Sequence, residues 1–391
     1  MPEIKRPLIV AAIFYFFIAP FFFHPDIKII YYLSQFLSQG TVNIYQYIAA
    51  NPDKALLGSF VYPPLSYFVM GLVYPVVNFL AGSGFTPWLG MGNDAVDIAG
   101  IFRYLFLIKT PLILALLATG WALSRISSRR VVLWIWFFNP ITIYVVGFMG
   151  QIDILPVLLS VLALLLAKPK PFLAAVLLGL GAALKTYPLL LLPFLALLST
   201  SNLKRSALIF LAGLSPYILL VAPFLTTPAF YSDTLTSGLT QRVLQLSLPL
   251  GYSENLYLVP IVLTGLLLAA GVLHRGQIHR LSAYWMAASL LPVVLSHFHP
   301  QWILWSMPFI SLWIASKSDW LSLLLFSASF LATVFLFADK FLTWGLISPF
   351  NPQILFLPAF SNPLLQSLSH SVLVGVGLWI SLCACFSSDR S

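Results

Sequence analysis

The feature that most constrains this chain is its succession of apolar runs, separated by short loops that hold most of the basic residues. Hydrophobic residues make up 60% of the 391 residues and charged ones 8%, whereas a water-soluble domain has about 25% charged residues. Because roughly 20 apolar residues cover the hydrocarbon layer as a helix, the sequence predicts an all-α, polytopic membrane bundle with about 12 spans. The predicted spans are 7–23, 100–123, 131–148, 153–167, 171–184, 187–200, 206–224, 256–273, 282–296, 301–316, 320–337 and 363–386.

The Lys and Arg residues predict the orientation of the chain in a cell membrane. With the N-terminus inside, most of them fall in cytoplasmic loops, RISSRR (125–130) among them, and the C-terminus is also cytoplasmic. The first run lacks a small-x-small cleavage site, which favours a retained signal anchor over a signal peptide. The basic residues form no single patch, so the formal charge of +9 does not indicate nucleic-acid binding.

This orientation requires long outer loops at about 24–99 and 225–255. The first loop contains an amphipathic helix pattern at 27–40 and an apolar segment at 63–82. We place 63–82 along the outer leaflet, since a crossing there would invert every later basic loop. No soluble domain or internal repeat is visible, so one transmembrane domain over 1–391 is expected.

The segment 171–200 has basic residues at both ends and must therefore go out and return. KTYP (185–188) offers the break, because proline interrupts a helix and restrains the residue before it. The sequence predicts two half-helices with Lys185 at their outer tip. Such irregular backbone is tolerated at membrane depth only inside protein or beside a wet cavity.

Several motifs follow in a fixed order at predicted outer positions. They are Asp26 after the first span, GTVNIYQY (40–47), FVYPPLSY (60–67), GQID (150–153), LKTYPLLLLP (184–193) and HFHPQWILWSMP (297–308). On these motifs, over roughly 20–310, the chain resembles the GT-C glycosyltransferases, and most closely the family-87 and PIG-M-like mannosyltransferases. The resemblance implies a polyprenyl-phosphate sugar donor, with mannose as the sugar. It also implies a glycolipid or glycan acceptor, membrane lipid as a partner, a non-cytoplasmic active site and inversion at the anomeric carbon.

The first outer loop contains a single acid in HPDIKI, where relatives often have an acidic pair. One carboxylate suits a general base better than a metal cage, so Asp26 is the predicted catalytic base. No cofactor is firmly predicted, and a divalent cation is only weakly indicated. The alternative is that Asp26 caps the helix that follows it.

The predicted substrate-binding residues would hold a phosphate and a sugar. Lys185 is the predicted phosphate partner, with snorkelling to the interface as its alternative. Asp153 would orient the sugar or form a salt bridge with Lys185, or else cap 154–167. Tyr187, two residues after Lys185, belongs to the same predicted set.

Two histidines precede a predicted outer helix. We favour a hydrogen bond from His299, with Gln301, to phosphate over a zinc site with His297. An interfacial role beside the neighbouring tryptophans is the alternative. Arg103 and Arg242 are further candidates for phosphate or donor binding, with interface anchoring and solvation as their alternatives.

Two other functions fit a polytopic chain. A secondary transporter would place ionisable residues at the midplane and show matching halves, whereas the candidates here lie at the outer boundary. A glycan polymerase or ligase would rely on outer-loop arginines and histidines, and Arg242 is the one firm outer-loop arginine predicted.

Overall fold

A computed structural model describes residues 2–55, 58–237 and 241–386, with side chains from Lys5 onward. The described chain is almost entirely helical, and one core cluster includes residues from Ala11 to Cys385. Many helices begin at a proline, whose fixed φ and missing N–H suit the first helical position. The all-α prediction is confirmed.

In the described part, the helices of seven or more residues are α1 (Pro2–Ile18), α2 (Pro25–Ser34), α3 (Ile44–Ala50), α4 (Pro64–Ala81), α5 (Ile101–Ile126), α6 (Val131–Phe138), α7 (Ile154–Leu166), α8 (Pro171–Leu184), α9 (Pro188–Ser199), α10 (Leu203–Val221), α11 (Leu258–Leu268), α12 (Leu281–Val294), α13 (Met307–Lys317), α14 (Trp320–Phe335) and α15 (Pro363–Phe386). A π-helical turn covers Ile143–Met149, and a 3₁₀ segment covers Pro300–Trp305. Strands β1 (Ser247–Gly251) and β2 (Glu254–Tyr257) pair antiparallel, with Ser247 opposite Tyr257.

Four helices of the described chain are long and apolar enough to cross a membrane, and up to six spans result if each of two bent pairs counts as one. The four are α4, α5, α10 and α15. The bent pairs are Lys5–Phe21 with Pro25–Gln39, at 85°, and Val131–Phe138 with Pro140–Met149, at 43°. Apolar membrane helices are therefore present, whereas a count of about 12 stays a prediction. Since α4 coincides with the segment placed along the outer leaflet, that placement also stays a prediction.

The predicted break at KTYP is present. Helix α8 ends at Leu184, Lys185 is extended, and α9 begins at Pro188. Helix α8 crosses α10 closely, because a Cβ at Gly179 would lie 2.0 Å from the Gly213 carbonyl oxygen. This close crossing fixes the position of α8. Lys185 therefore follows the end of a well-packed helix.

The amphipathic pattern at 27–40 forms α2 and a 3₁₀ turn, Gln35–Gln39, and this part of the chain is packed inside the protein. Lys28 is fully buried and donates hydrogen bonds to the carbonyls of Met91 and Gly92, at 3.0 and 2.7 Å. The sequence pattern suggested a helix on the membrane surface. The structure instead buries its polar side chain, because backbone carbonyls satisfy the ammonium group.

Candidate active site

Two adjoining cavities lie where helix α2 and the segment 59–63 meet the break at Lys185 and the 3₁₀ segment Pro300–Trp305. The large cavity has a volume of about 370 Å³ and the small one about 230 Å³. Both are lined by Val61, Tyr62, His299 and Gln301, so these four residues form a shared wall. The large cavity is also lined by Lys185, Tyr187, Trp302 and Trp305, and the small one by Asp26, Ile29, Ile30, Leu33 and Phe60.

Asp26 lies in the first turn of α2 and lines the small cavity. The N-cap is His24, whose Nδ1 accepts from the Asp26 backbone N–H at 3.3 Å. The Asp26 carboxylate accepts a 2.8 Å hydrogen bond from Gln151 Nε2, and its side chain is 32% exposed. The cap role considered for Asp26 therefore belongs to His24, and the carboxylate of Asp26 borders a cavity.

Lys185 and Asp153 form a salt bridge beside the large cavity. The Lys185 ammonium donates to both carboxylate oxygens of Asp153, at 2.7 and 2.9 Å, and Trp305 Nε1 donates to one of them at 2.6 Å. Asp153 is fully buried and takes the N-cap position of α7 without a side-chain capping bond. Of the roles considered for Asp153, the structure has the salt bridge, because a buried carboxylate needs a cation and donors.

Stacked rings form one side of the large cavity, and we call them the aromatic column: Tyr187, Trp305, Trp302 and His299. Tyr187 and Trp305 lie parallel within 5°, with ring centres 4.3 Å apart. Trp302 stacks on Trp305 at 5.4 Å and His299 on Trp302 at 4.4 Å. The Lys185 ammonium lies 5.5 Å from the Trp305 ring centre, which is cation–π range.

His299 contacts Arg242, and this contact fixes the form of the imidazole. Arg242 Nη1 faces His299 Nε2. A guanidinium only donates, so Nε2 accepts and the ring proton lies on Nδ1. Burial, then the positive charges of Arg242 and Lys185, lower the pKa of His299 to about 3. The imidazole is therefore neutral at physiological pH.

Tyr62 lies close enough to both carboxylates of the site to feel their charge. Burial raises its pKa well above 10, and the charges of Asp26 and Asp153 raise it further. Its backbone carbonyl accepts a 2.6 Å hydrogen bond from the Tyr45 hydroxyl, so GTVNIYQY holds FVYPPLSY in place. Tyr62 thus keeps its phenolic proton and borders both cavities.

The structure brings most, but not all, of the predicted site residues together. Asp26, Lys185, Tyr187, His299 and Gln301 line the cavities, and Asp153 and Arg242 join them through Lys185 and His299. Arg103 is exposed and lies 5.7 Å from the Tyr104 ring centre, and it lines neither cavity. The proposal that Arg103 reaches the substrate phosphate therefore has no support in the geometry, since its side chain points to the surface.

Sequence reasoning missed three contributors. Gln151 was part of the GQID motif but received no role, although it contacts Asp26. Trp302 and Trp305 were considered only as neighbours of the histidines, yet both are at least 90% buried and belong to the aromatic column. The signal available was their i, i+3 spacing directly after His299. Among the described residues, no group of three or more His, Cys, Asp or Glu side chains could hold a metal ion.

A helical membrane protein with a carboxylate, a cation and stacked aromatics around two joined cavities is suited to transfer a group between two substrates. The profile of Glycosyltransferase family 87 matches residues 60–306, well over half of the chain. The protein belongs to glycosyltransferase family 87 and is a glycosyltransferase. No curated protein and no solved structure matches the chain. The matched segment includes every residue that lines the two cavities except Asp26, Ile29, Ile30, Leu33 and Ser59.

Proposed function

We propose that this protein transfers mannose from a polyprenyl-phosphate donor to a glycolipid or glycan acceptor, on the extracytoplasmic face of the cell membrane. The supporting observation is that Asp26 and Lys185 border different cavities that share one wall. Two substrates that must exchange a group need adjoining sites, with the reacting atoms meeting at the common wall. Family membership favours this function over transport.

In this proposal the acceptor lies in the small cavity with its hydroxyl at Asp26. The carboxylate removes the hydroxyl proton while the oxygen attacks the anomeric carbon. The bond from that carbon to the phosphate oxygen breaks on the opposite face, so the configuration inverts. The products are the new glycoside, the polyprenyl phosphate and a protonated Asp26, which later releases its proton to water.

The donor lies in the large cavity, whose apolar lining suits an isoprenoid chain. Two of the three N–H groups of Lys185 bind Asp153, which leaves the third for a phosphate oxygen. The neutral His299 has its Nδ1–H available, and Arg242 adds a positive charge behind it. These donors stabilise the charge on the departing phosphate in a low-dielectric site.

The proposed orientation has both termini in the cytoplasm and about 12 crossings, with the five shorter apolar helices α7, α8, α9, α11 and α14 crossing within the bundle. Helices shorter than the bilayer thickness are accommodated where neighbouring helices cover their ends. No cofactor is required by the proposed chemistry.

The test uses purified protein in lipid, radiolabelled polyprenyl-phosphate mannose and a membrane glycolipid extract. Wild type should transfer label, and Asp26→Asn should reduce transfer by about 10²- to 10⁴-fold. Asp53→Asn is the matched control, because Asp53 lies in the same loop and is exposed. Equal transfer by all three would exclude Asp26 as the base and direct attention to Asp153 and His299. No transfer by wild type from mannose or glucose donors would contradict the proposed donor.

A further inference from the structure

Lys109 is a fully buried lysine in the interior of α5, and it lines neither cavity. Its ammonium donates to three backbone carbonyls, those of Phe22 at 2.6 Å, Gly147 at 3.0 Å and Phe148 at 2.7 Å. An ammonium has three N–H donors, so all of them are satisfied. A buried charge inside a membrane helix is costly, and such residues generally serve a function.

The three carbonyls belong to the two segments that build the acidic end of the site. Phe22 precedes Asp26 by four residues. Gly147 and Phe148 lie near the end of the π-helical turn, which finishes at Met149 and leads through Gly150 to Gln151. One side chain therefore ties the segment that contains Asp26 to the segment that contains the hydrogen-bond partner of Asp26.

The glycine of GQID allows this approach. Gly150 has φ +71°, in the left-handed region that disfavours other residues, and a Cβ there would lie 3.1 Å from Cγ and Cε of Lys109. The turn is closed by a 3.1 Å hydrogen bond from the Gln151 backbone N–H to the Val145 carbonyl. The lysine stem thus packs against the backbone from which Gln151 projects.

Gln151 is 1% exposed, and its amide is held in one orientation. Nε2 donates to Asp26, whereas Oε1 has no hydrogen-bond partner within the described chain. Turning the amide over would place Oε1 against the Asp26 carboxylate, and two acceptors repel each other. A buried oxygen without a partner is unfavourable, so the hydrogen bond from Nε2 to Asp26 is what holds the amide in this orientation.

We propose that Lys109 and Gln151 are positioning residues for the base: Lys109 fixes the turn that presents Gln151, and the hydrogen bond from Gln151 orients the Asp26 carboxylate. This assignment rests on the proposed role of Asp26 as the base. Both residues act through Asp26 and neither contacts the substrates.

The first test measures protonation of Asp26 directly and needs no substrate. Dicyclohexylcarbodiimide modifies protonated carboxyls in membranes, and peptide mass spectrometry resolves its labelling of Asp26 as pH is varied. Gln151→Leu removes a donor to the charged carboxylate, so it should raise the midpoint pH for labelling of Asp26. Gln151→Glu should raise it by about 1–3 pH units, because a second carboxylate then faces the first. The other titratable groups near Asp26 are unchanged in these variants; they are His24, with Nδ1 3.6 Å from Oδ1, Tyr62, Tyr144 and His299. An unchanged midpoint in both variants would overturn the proposal.

The second test asks whether Lys109 acts through Gln151. Lys109→Met should raise the Asp26 midpoint, and combining it with Gln151→Leu should add no further shift, because both changes remove the same contact. Additive shifts would overturn the link. Lys340→Met is the matched control, since Lys340 also donates to a backbone carbonyl, that of Leu355 at 2.8 Å. If Lys109→Met does not fold, Lys109→Gln, which keeps two N–H donors, replaces it.

Transfer assays separate this proposal from the proposed function. The kinetic test applies if the wild-type protein transfers sugar. The Gln151→Glu variant should then show an acid limb of the pH–rate profile that lies about 1–3 pH units higher than in wild type. Its kcat should be lower and its KM for the donor unchanged. A purely structural role would not move that limb. If wild type transfers no sugar, the proposed function fails, and the labelling result still decides the positioning role.

Discussion

The two cavities differ in how they treat charge. The large cavity pairs its cation with a buried carboxylate, and the Lys185–Asp153 pair has a ring of Trp305 against it. The small cavity presents one carboxylate, Asp26, among aliphatic side chains such as Ile29 and Leu33. Its hydrogen-bond donor is the neutral amide of Gln151, and His24 Nδ1 lies 3.6 Å from its Oδ1.

This difference in charge suits the large cavity to binding the donor phosphate and the small cavity to accepting a proton. A paired lysine keeps a fixed position and a stable charge, which suits the binding of a phosphate. A carboxylate that borders a cavity and is not held in a lysine salt bridge can reach an acceptor hydroxyl, which suits a general base. The shared wall, with Tyr62 and the neutral His299, keeps the two environments distinct, because neither side chain carries a charge at neutral pH.

Substitution of Lys185 should have the largest effect on the difference between the two cavities. Lys185→Met leaves Asp153 buried without its cation, which should lower the free energy of unfolding by about 3–5 kcal/mol and abolish transfer. Denaturant unfolding in detergent and the transfer assay measure the two effects. Lys185→Met combined with Asp153→Asn should regain most of the stability and none of the transfer. Recovery of transfer in the double variant would show that the cation has no part in the reaction.

The next largest effect is expected at Trp305, which links the ion pair to the aromatic column. Trp305→Phe keeps a ring but removes the N–H that Asp153 accepts, so stability should fall by about 1.5–3 kcal/mol. Trp302→Phe is the control, because it replaces an indole of the aromatic column by a smaller ring and leaves the hydrogen bond to Asp153 intact. Equal losses of unfolding free energy in both variants would contradict the role of the indole N–H.

A pair of truncations tests which substrate each cavity holds, on the basis of the proposed function. Ile29→Ala in the small cavity should raise the acceptor KM about fivefold, since losing such contacts costs roughly 1 kcal/mol. Leu189→Ala in the large cavity should raise the donor KM by a similar factor. Steady-state kinetics with each substrate varied in turn measures both. If each variant changed the KM of the other substrate, the assignment of the cavities would be reversed.

The smallest expected effect is the pH dependence of stability that arises from His299 in the shared wall. Between pH 6.5 and about 3 the unfolded chain binds more protons at His299 than the folded protein does. The stability contributed by the neutral ring is therefore complete above pH 6.5 and is lost as the pH falls toward 3. Arg242→Gln should raise the pKa of His299 without restoring it to 6.5, because burial is the larger cause.

Titration of ¹⁵N-labelled histidine by NMR reads that change, and His299→Gln identifies the resonance. The variant should also lose less stability than wild type on acidification, because its folded ring takes up its proton at a higher pH. A pKa that stays at about 3 in Arg242→Gln would mean that the guanidinium contributes nothing to it.

Much of the fold and part of the site followed from local patterns. KTYP predicted the break between α8 and α9 because proline acts on its own helix and on the residue before it. The Asp153–Lys185 pair was one of the roles considered, because a buried acid and a buried lysine both need partners. Arg103 lines neither cavity, and its proximity to the predicted outer end of a span could not fix which face of the helix it occupies.

Composition and the order of apolar runs by themselves determined that this is an all-α membrane protein, since only helices satisfy every backbone group within one segment. The tertiary structure decided which residues meet. Gln151 reaches Asp26, and Lys109 reaches three carbonyls far away in sequence. Backbone carbonyls are the same in every residue, so no sequence pattern marks the ones that a buried lysine will bind, and only packing brings them together.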